Sequence, residues 1–206
     1  VEKILVLNLI PNTVGDSLLV TSVLENIKNN YPEAEIDMTV SPPNACIFDN
    51  NPHISKLIHV PELALLSKND LSRFRKLWIY CKMILKLSKN RGYDLCFIPP
   101  PNFALNVLPP YFTGAKEIVG YTYSGSYLSF LLDKKTPFRG LVTGDYEMPF
   151  IECYYDLLRI AGLKVEDLPN KVYFSEGEQE TVRKKYNLNE KFVCMHVYGK
   201  MAGWSV

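Results

Sequence analysis

Residues 4–10, ILVLNLI, give way at residues 11–17, PNTVGDS, to a helical stretch that ends at residues 31–32, YP. A short apolar run that meets a turn and then a helix is the opening unit of an α/β protein. The helix is predicted from Ser17 to about Asn30, which leaves Gly15 and Asp16 in the turn where a buried strand passes into a helix.

The same alternation continues along the chain. AEIDMTV (34–40), SKLIHV (55–60), YDLCFIP (93–99) and KEIVGYT (116–122) read as strands. Between them lie a short helix near Ala45 to Asp49, a long helix from about Leu71 to Asn90 and a segment near Phe103 to Phe112. Strands rich in Val, Ile and Leu and separated by helices predict a doubly wound α/β fold, a parallel sheet covered on both faces. From about Thr143 the texture changes. Phe150, Cys153, Tyr154, Leu157, Leu158 and Ala161 share helical spacing, with Gly162 as C-terminal cap. KVEDLPNKVYF (164–174) then reads as a linker into a new strand, followed by a polar helix from about Glu176 to Tyr186 and the strand KFVCMHV (191–197). The division expected is a first domain over 1–164, then a linker and the start of a second over 165–206.

Composition narrows the function classes. With 23 basic and 22 acidic residues among 206, net charge offers no reason to expect nucleic-acid binding. The five cysteines form no C-x-x-C pair and stand mostly in apolar contexts, which favours reduced, buried thiols in a cytosolic protein. Ile4–Ile10 is too short to cross a bilayer and has no basic leader, and no other run approaches the roughly 20 apolar residues a span needs. His53, His59 and His196 lie far apart, without the nucleophile–base grouping of covalent catalysis. The chain starts at Val1 and ends in HVYGKMAGWSV, which reads as a strand running into a loop, so truncation is expected at the C-terminus.

The first strand-to-helix turn of an open α/β sheet is a favoured place for a ligand, because free N–H groups at the helix start can meet an anion or a hydroxyl. Neither G-x-G-x-x-G nor G-x-x-x-x-G-K-[ST] is present. Asp16 has two readings on position alone. It is a first-turn residue that complements the helix dipole and caps the backbone, or a general base that takes a proton from a substrate hydroxyl.

Residues 3–40 as a whole resemble the opening of the ADP-heptose:lipopolysaccharide heptosyltransferase family, glycosyltransferase family 9. Thr13, Gly15 and Asp16 fall on its Ser-x-Gly-Asp turn and Tyr31-Pro32 on its helix-ending Tyr-Pro. NNPHISKLIHV (50–60), RGYDLCFIP (91–99) and TGAKEIVGY (113–121) resemble later family segments, in order. The resemblance implies a GT-B architecture of two Rossmann-like domains, the first holding a glycolipid or oligosaccharide acceptor and the second a nucleotide-diphosphate sugar. It implies an inverting, metal-independent transfer of a heptose-like sugar with Asp16 as general base and no cofactor beyond the donor substrate. Thr13, Gly15 and Ser17 would line the substrate side, with Asn102 and Tyr121 on the acceptor wall. The family places a Lys two residues before a Trp near the donor phosphates. Here Ala202 stands two before Trp204, and Lys200 is the nearest cation. The chain alone is expected to bind donor poorly and to be inert. A non-catalytic domain that holds an anion or sugar at the same turn is the alternative from another class, and a membrane-associating protein is a third.

The third reading rests on residues 71–91, LSRFRKLWIYCKMILKLSKNR, which contain no acid. Phe74, Leu77, Trp78, Cys81, Ile84 and Leu85 make one apolar face, with Arg75, Lys82, Lys86 and Lys89 in a stripe beside it. The plain reading is a solvated basic helix over the sheet. The other is peripheral contact between the basic helix Arg73–Arg91 and an anionic membrane, which suits a cytoplasmic enzyme on the inner face of the cytoplasmic membrane.

Overall fold

A computed structural model describes residues 1–11, 13–66, 70–100, 107–122, 127–137 and 149–188. The opening run begins as β1 (Lys3–Val6), and the helix after it, α1, spans Val14–Asn30. Four further expected elements follow as strands β2 (Glu35–Val40), β3 (Lys56–His59), β4 (Leu95–Phe97) and β5 (Glu117–Thr122). A sixth, β6 (Lys134–Pro137), was not foreseen. The described residues form one six-stranded sheet in the order β3-β2-β1-β4-β5-β6, and every neighbouring pair is parallel. This is the doubly wound order, with its reversal between β1 and β4.

Alternation along β1 explains why the sheet is covered twice. Ile4 and Val6 belong to one core cluster, Leu5 and Leu7 to the other. The first cluster packs α1 and α5 (Phe150–Ala161), through Val20, Val23, Leu24 and Ile27 and through Tyr154, Leu157 and Leu158. Spacing of i, i+3, i+4 and i+7 is what places those four α1 residues on one stripe. Pro32 ends α1 by disfavouring the helical conformation at Tyr31, which stands at φ −130°. The second cluster lies under α2 (Glu62–Leu66), α3 (Arg73–Leu87) and α4 (Leu108–Thr113). Gly162 caps α5 at φ 91°, in the left-handed region, as its position predicts.

Several expectations need correction. The short helix near Ala45 to Asp49 is a 3-10 helix over Pro42–Ile47, begun by its two prolines. Cys46 and Cys81 are exposed thiols, whereas Cys96 and Cys153 are buried. On α3 the side turned to the core is Ile79, Tyr80, Met83 and Leu87, while Phe74, Leu77, Trp78, Cys81 and Leu85 face solvent.

The chain divides into two compact units, one over Val1–Tyr173 and one beginning at Phe174. Residues 165–173, read from sequence as a linker into a new strand, pack with the first unit. No strand forms there. Asn26 and Asn30 of α1 hold the segment by reciprocal amide pairs. Asn26 donates to the Glu166 carbonyl at 3.0 Å and accepts its N–H at 2.8 Å, and Asn30 does the same with Lys164 at 2.7 and 2.9 Å. In the second unit, α6 (Glu176–Tyr186) matches its predicted span and opens on a capping box between Ser175 and Glu178. The strand expected over 191–197 lies outside the described residues.

Candidate active site

The site begins where β1 leaves the sheet. Leu7 extends the ladder to β4 by donating its N–H to the Phe97 carbonyl at 2.8 Å, and the chain then turns toward α1. That turn is pinned from the β2 side. Thr39 Oγ1 donates to the Asn8 carbonyl at 3.0 Å, and Ser41 Oγ and Asn44 Nδ2 donate to the Ile10 carbonyl at 3.0 and 3.1 Å. All four of these polar side-chain residues, Asn8, Thr39, Ser41 and Asn44, are buried, so water does not compete for these bonds.

Thr13 is the N-cap of α1, in extended conformation, and its side chain makes no capping bond. Gly15 and Asp16 therefore stand inside the first helical turn and not before it, a correction to the expected start at Ser17. An N-terminus without a side-chain cap keeps backbone N–H groups and the positive end of the helix dipole available to an acceptor or anion. Thr13 and Gly15 are exposed, Asp16 is half-buried and Ser17 is buried. Among the described residues a Cβ on Gly15 would meet nothing within 4 Å, so packing against them does not require glycine there. Among the described residues nothing hydrogen-bonds the Asp16 carboxylate, and the buried Ser17 Oγ has no partner either. Asp16 is thus not locked as a cap. Asp16 stands in the first turn of the helix that follows β1, the strand beside which the order of the sheet reverses.

The residue that sequence reasoning missed is Tyr154. From α5 its hydroxyl donates to the Pro100 carbonyl at 3.0 Å, in the segment after β4, and stands 3.4 Å from the Asp16 carbonyl. One phenol therefore joins the two loops that border the site. Its helical spacing marked it as a core residue, which it is, at 0% exposure. Only a polar tip on an otherwise apolar face could have hinted at the second role.

The remaining candidates do not gather at the turn. Tyr121 lies on β5 with its side chain buried in the cluster under α5. Asn102 and Lys200 lie outside the described residues. Asp94 serves the opposite end of the sheet, where the central strands begin. It accepts the N–H groups of Glu2 and Lys3 and pairs with Lys116 at 2.7 Å, and those partners hold its carboxyl well below the usual range. His53 packs edge-on against Tyr173, and burial lowers its pKa. Among the described residues no three His, Cys, Asp or Glu side chains cluster as a metal ion would require, and no helix is long and apolar enough to cross a membrane.

No protein-family model matches the chain. An 81-residue stretch is 35% identical to lipopolysaccharide heptosyltransferase 3 of Escherichia coli, covering 39% of this chain and 22% of that protein. The fold is similar to ADP-heptose lps heptosyltransferase II of E. coli, at TM-score 0.61 and 22% identity over 89% of this chain and 50% of that one. It is similar also to a glycosyl transferase family 9 structure from Veillonella parvula, at TM-score 0.67 and 16% identity over 91% of this chain and 49% of that one. The chain spans about half the length of the solved structures it matches and about a fifth of the curated relative.

Proposed function

We propose, for a chain whose sequence and fold both bear out its resemblance to the heptosyltransferases of glycosyltransferase family 9, that it is the acceptor-side part of a GT-B glycosyltransferase. The observation that carries this reading is Asp16: a half-buried carboxylate in the first turn of α1, just beyond the central strand, with no hydrogen-bond partner among the described residues. A carboxylate so placed can take the proton of an acceptor hydroxyl as that oxygen attacks the anomeric carbon of a nucleotide-diphosphate sugar. The new glycosidic C–O bond forms on the face opposite the breaking bond to phosphate. The nucleoside diphosphate departs with the electron pair of that bond, and the anomeric centre inverts. No step draws on a metal ion.

The donor in this reading is an ADP-heptose-like sugar, supported by the likeness to the ADP-heptose lps heptosyltransferase II of E. coli. The acceptor is a lipopolysaccharide or related glycan. Open N–H groups at the start of α1 and the space over Gly15 suit close approach of a sugar hydroxyl. Groups for the nucleotide belong to a second domain in this reading, with Lys200 as the candidate cation for the diphosphate.

The test is sugar transfer by the full-length parent protein, with a panel of nucleotide-sugars and a glycolipid extract, for wild type and Asp16→Asn. Loss on the order of a hundredfold in a folded Asp16→Asn protein is the expected result for removal of a general base. Transfer that survives the substitution overturns the mechanism. Donor and acceptor binding without transfer by wild type would make the turn a binding site alone.

A further inference from the structure

Helix α3 carries two apolar faces, and the sheet uses only one. Phe74 is 87% exposed, Trp78 64% and Leu85 66%, while Ile79, Met83 and Leu87 on the opposite side are buried. At 3.6 residues per turn, positions 74, 77, 78, 81 and 85 fall within an arc of about 100°, wide enough to be a face rather than scattered residues. An exposed contiguous stripe of this kind on a soluble domain marks an interaction surface.

The flank of the stripe says what kind. Positions 71–93 hold seven cations and no acid. Lys82 lies with its ammonium 5.6 Å from the centre of the Trp78 ring. Lys86 donates to the His59 carbonyl at 2.7 Å and pairs with Glu62 of α2 at 3.9 Å. With Lys89 and Leu85 these residues line an open cavity of about 420 Å³ between α2 and α3. Lysine ammoniums therefore run along one border of an apolar, Trp-bearing face, and Glu62, a single carboxylate already paired to Lys86, is the acid lining that border.

We propose that α3 is an in-plane anchor for an anionic lipid surface. Phe74, Leu77, Trp78 and Leu85 enter the boundary between headgroups and acyl chains, and Lys82 and Lys89 meet lipid phosphates, while Lys86 stays with the His59 carbonyl and Glu62. Charge complementarity selects lipid over an apolar protein groove, since an apolar stripe bordered by long cationic side chains, with tryptophan at its centre, matches both layers of a membrane interface at once. The proposal stands apart from the glycosyltransferase reading, because transfer to a soluble acceptor does not require it.

The test is co-sedimentation of the 206-residue chain with phosphatidylcholine vesicles and with vesicles that also contain phosphatidylglycerol, read together with Trp78 emission in a Trp204→Phe background. Anionic vesicles should bind at least about tenfold more tightly and shift Trp78 emission to the blue. Phe74→Ser with Trp78→Ser should abolish binding, and Lys82→Glu with Lys89→Glu should remove the preference for anionic lipid. All four positions are exposed, and unchanged thermal melts confirm that the variants fold. Equal binding to both vesicles, binding unaffected by the substitutions, or a dimer in solution that Phe74→Ser with Trp78→Ser converts to monomer would each overturn the proposal, the last by giving the face to a second copy of the chain.

Discussion

The hydroxyl of Tyr154 lies 3.4 Å from the main-chain carbonyl oxygen of Asp16, while its proton is directed to Pro100 at 3.0 Å. A side chain rooted in α5 thus sets the distance between the Asp16 turn and the segment after β4. The ring is held in turn by an edge-on contact with Phe150, with centroids 5.6 Å apart.

Tyr154→Phe keeps the ring and removes the tie. Loss of a buried hydrogen bond, with the Pro100 carbonyl left without its donor, costs about 1–3 kcal/mol. The larger effect should fall on chemistry. Displacement of a catalytic group by a fraction of an ångström is enough to slow a reaction that depends on alignment. In the full-length protein kcat should fall about tenfold with donor KM unchanged. A kcat equal to wild type, measured alongside a urea melt that shows the stability loss, would make Tyr154 a core residue only.

Gly15→Ala separates the needs of the fold from those of the ligand. The added Cβ meets nothing within 4 Å among the described residues, and Gly15 lies in the first turn of α1. Helix propensity therefore favours alanine, by up to about 1 kcal/mol. The melting temperature should stay level or rise. If a substrate hydroxyl approaches across this residue, acceptor KM should rise several-fold. Unchanged acceptor KM in the more stable variant would show that the open space is not used.

Much of the fold could be read from the chain because apolar runs and helical spacing carried it: β1, α1 and α5 with its Gly162 cap are set by apolar patterning and a positive φ. The misses have separate physical causes. Strand β6 is Lys-Lys-Thr-Pro at the sheet edge, where charge and proline guard against further pairing and leave no hydrophobic signal. Helix α3 has two apolar stripes, and the choice between them depends on the sheet beneath, which local sequence does not encode. At the candidate site the Gly15-Asp16 pair was visible by position and resemblance. Tyr154 was not, because it is 138 residues from Asp16 and meets it through the backbone.

Alkaline pH should unfold this protein through groups far from the site. Burial pushes the Cys96 thiol and the Tyr80 phenol upward, and burial together with the hydrogen bond to Asp37 does the same for Tyr93. The unfolded chain releases these protons near pH 8.5 for a thiol and about 10 for a phenol, while the native chain still holds them. Stability is therefore complete below those values and falls as pH rises, by about 1.4 kcal/mol per pH unit for each group once its unfolded form is ionised. Urea unfolding from neutral pH to about 10.5 should show the decline. Tyr93→Phe should cost about 1.5–3 kcal/mol at neutral pH, because the buried Asp37 carboxylate loses its 2.7 Å donor. It should also flatten the alkaline slope by one group, and an unchanged slope would remove Tyr93 from the account.

The last relationship concerns the seam between α1 and the chain leading to Phe174. Asn26 and Asn30 are one turn apart, about 6 Å along a helix, and each pairs with both backbone groups of a residue two apart in an extended segment, where the repeat is about 6.6 Å. The match in spacing lets two side-chain amides act as a substitute strand. Lys171 adds its N–H to Thr21 Oγ1 at 3.1 Å and an ion pair to Glu25 at 2.7 Å, and Tyr155 exchanges bonds with Leu168 at 3.3 Å. Asn26 is buried, so Asn26→Ala should lose both of its bonds to the Glu166 backbone for about 2 kcal/mol. Hydrogen exchange at the Glu166 amide reports the outcome directly, since that N–H is donated to Asn26. Exchange should speed by at least about tenfold, with the β1 amides still protected. If Glu166 stays as protected as in wild type, the segment is held by Thr21, Asn30 and Tyr155 and the Asn26 pair is redundant.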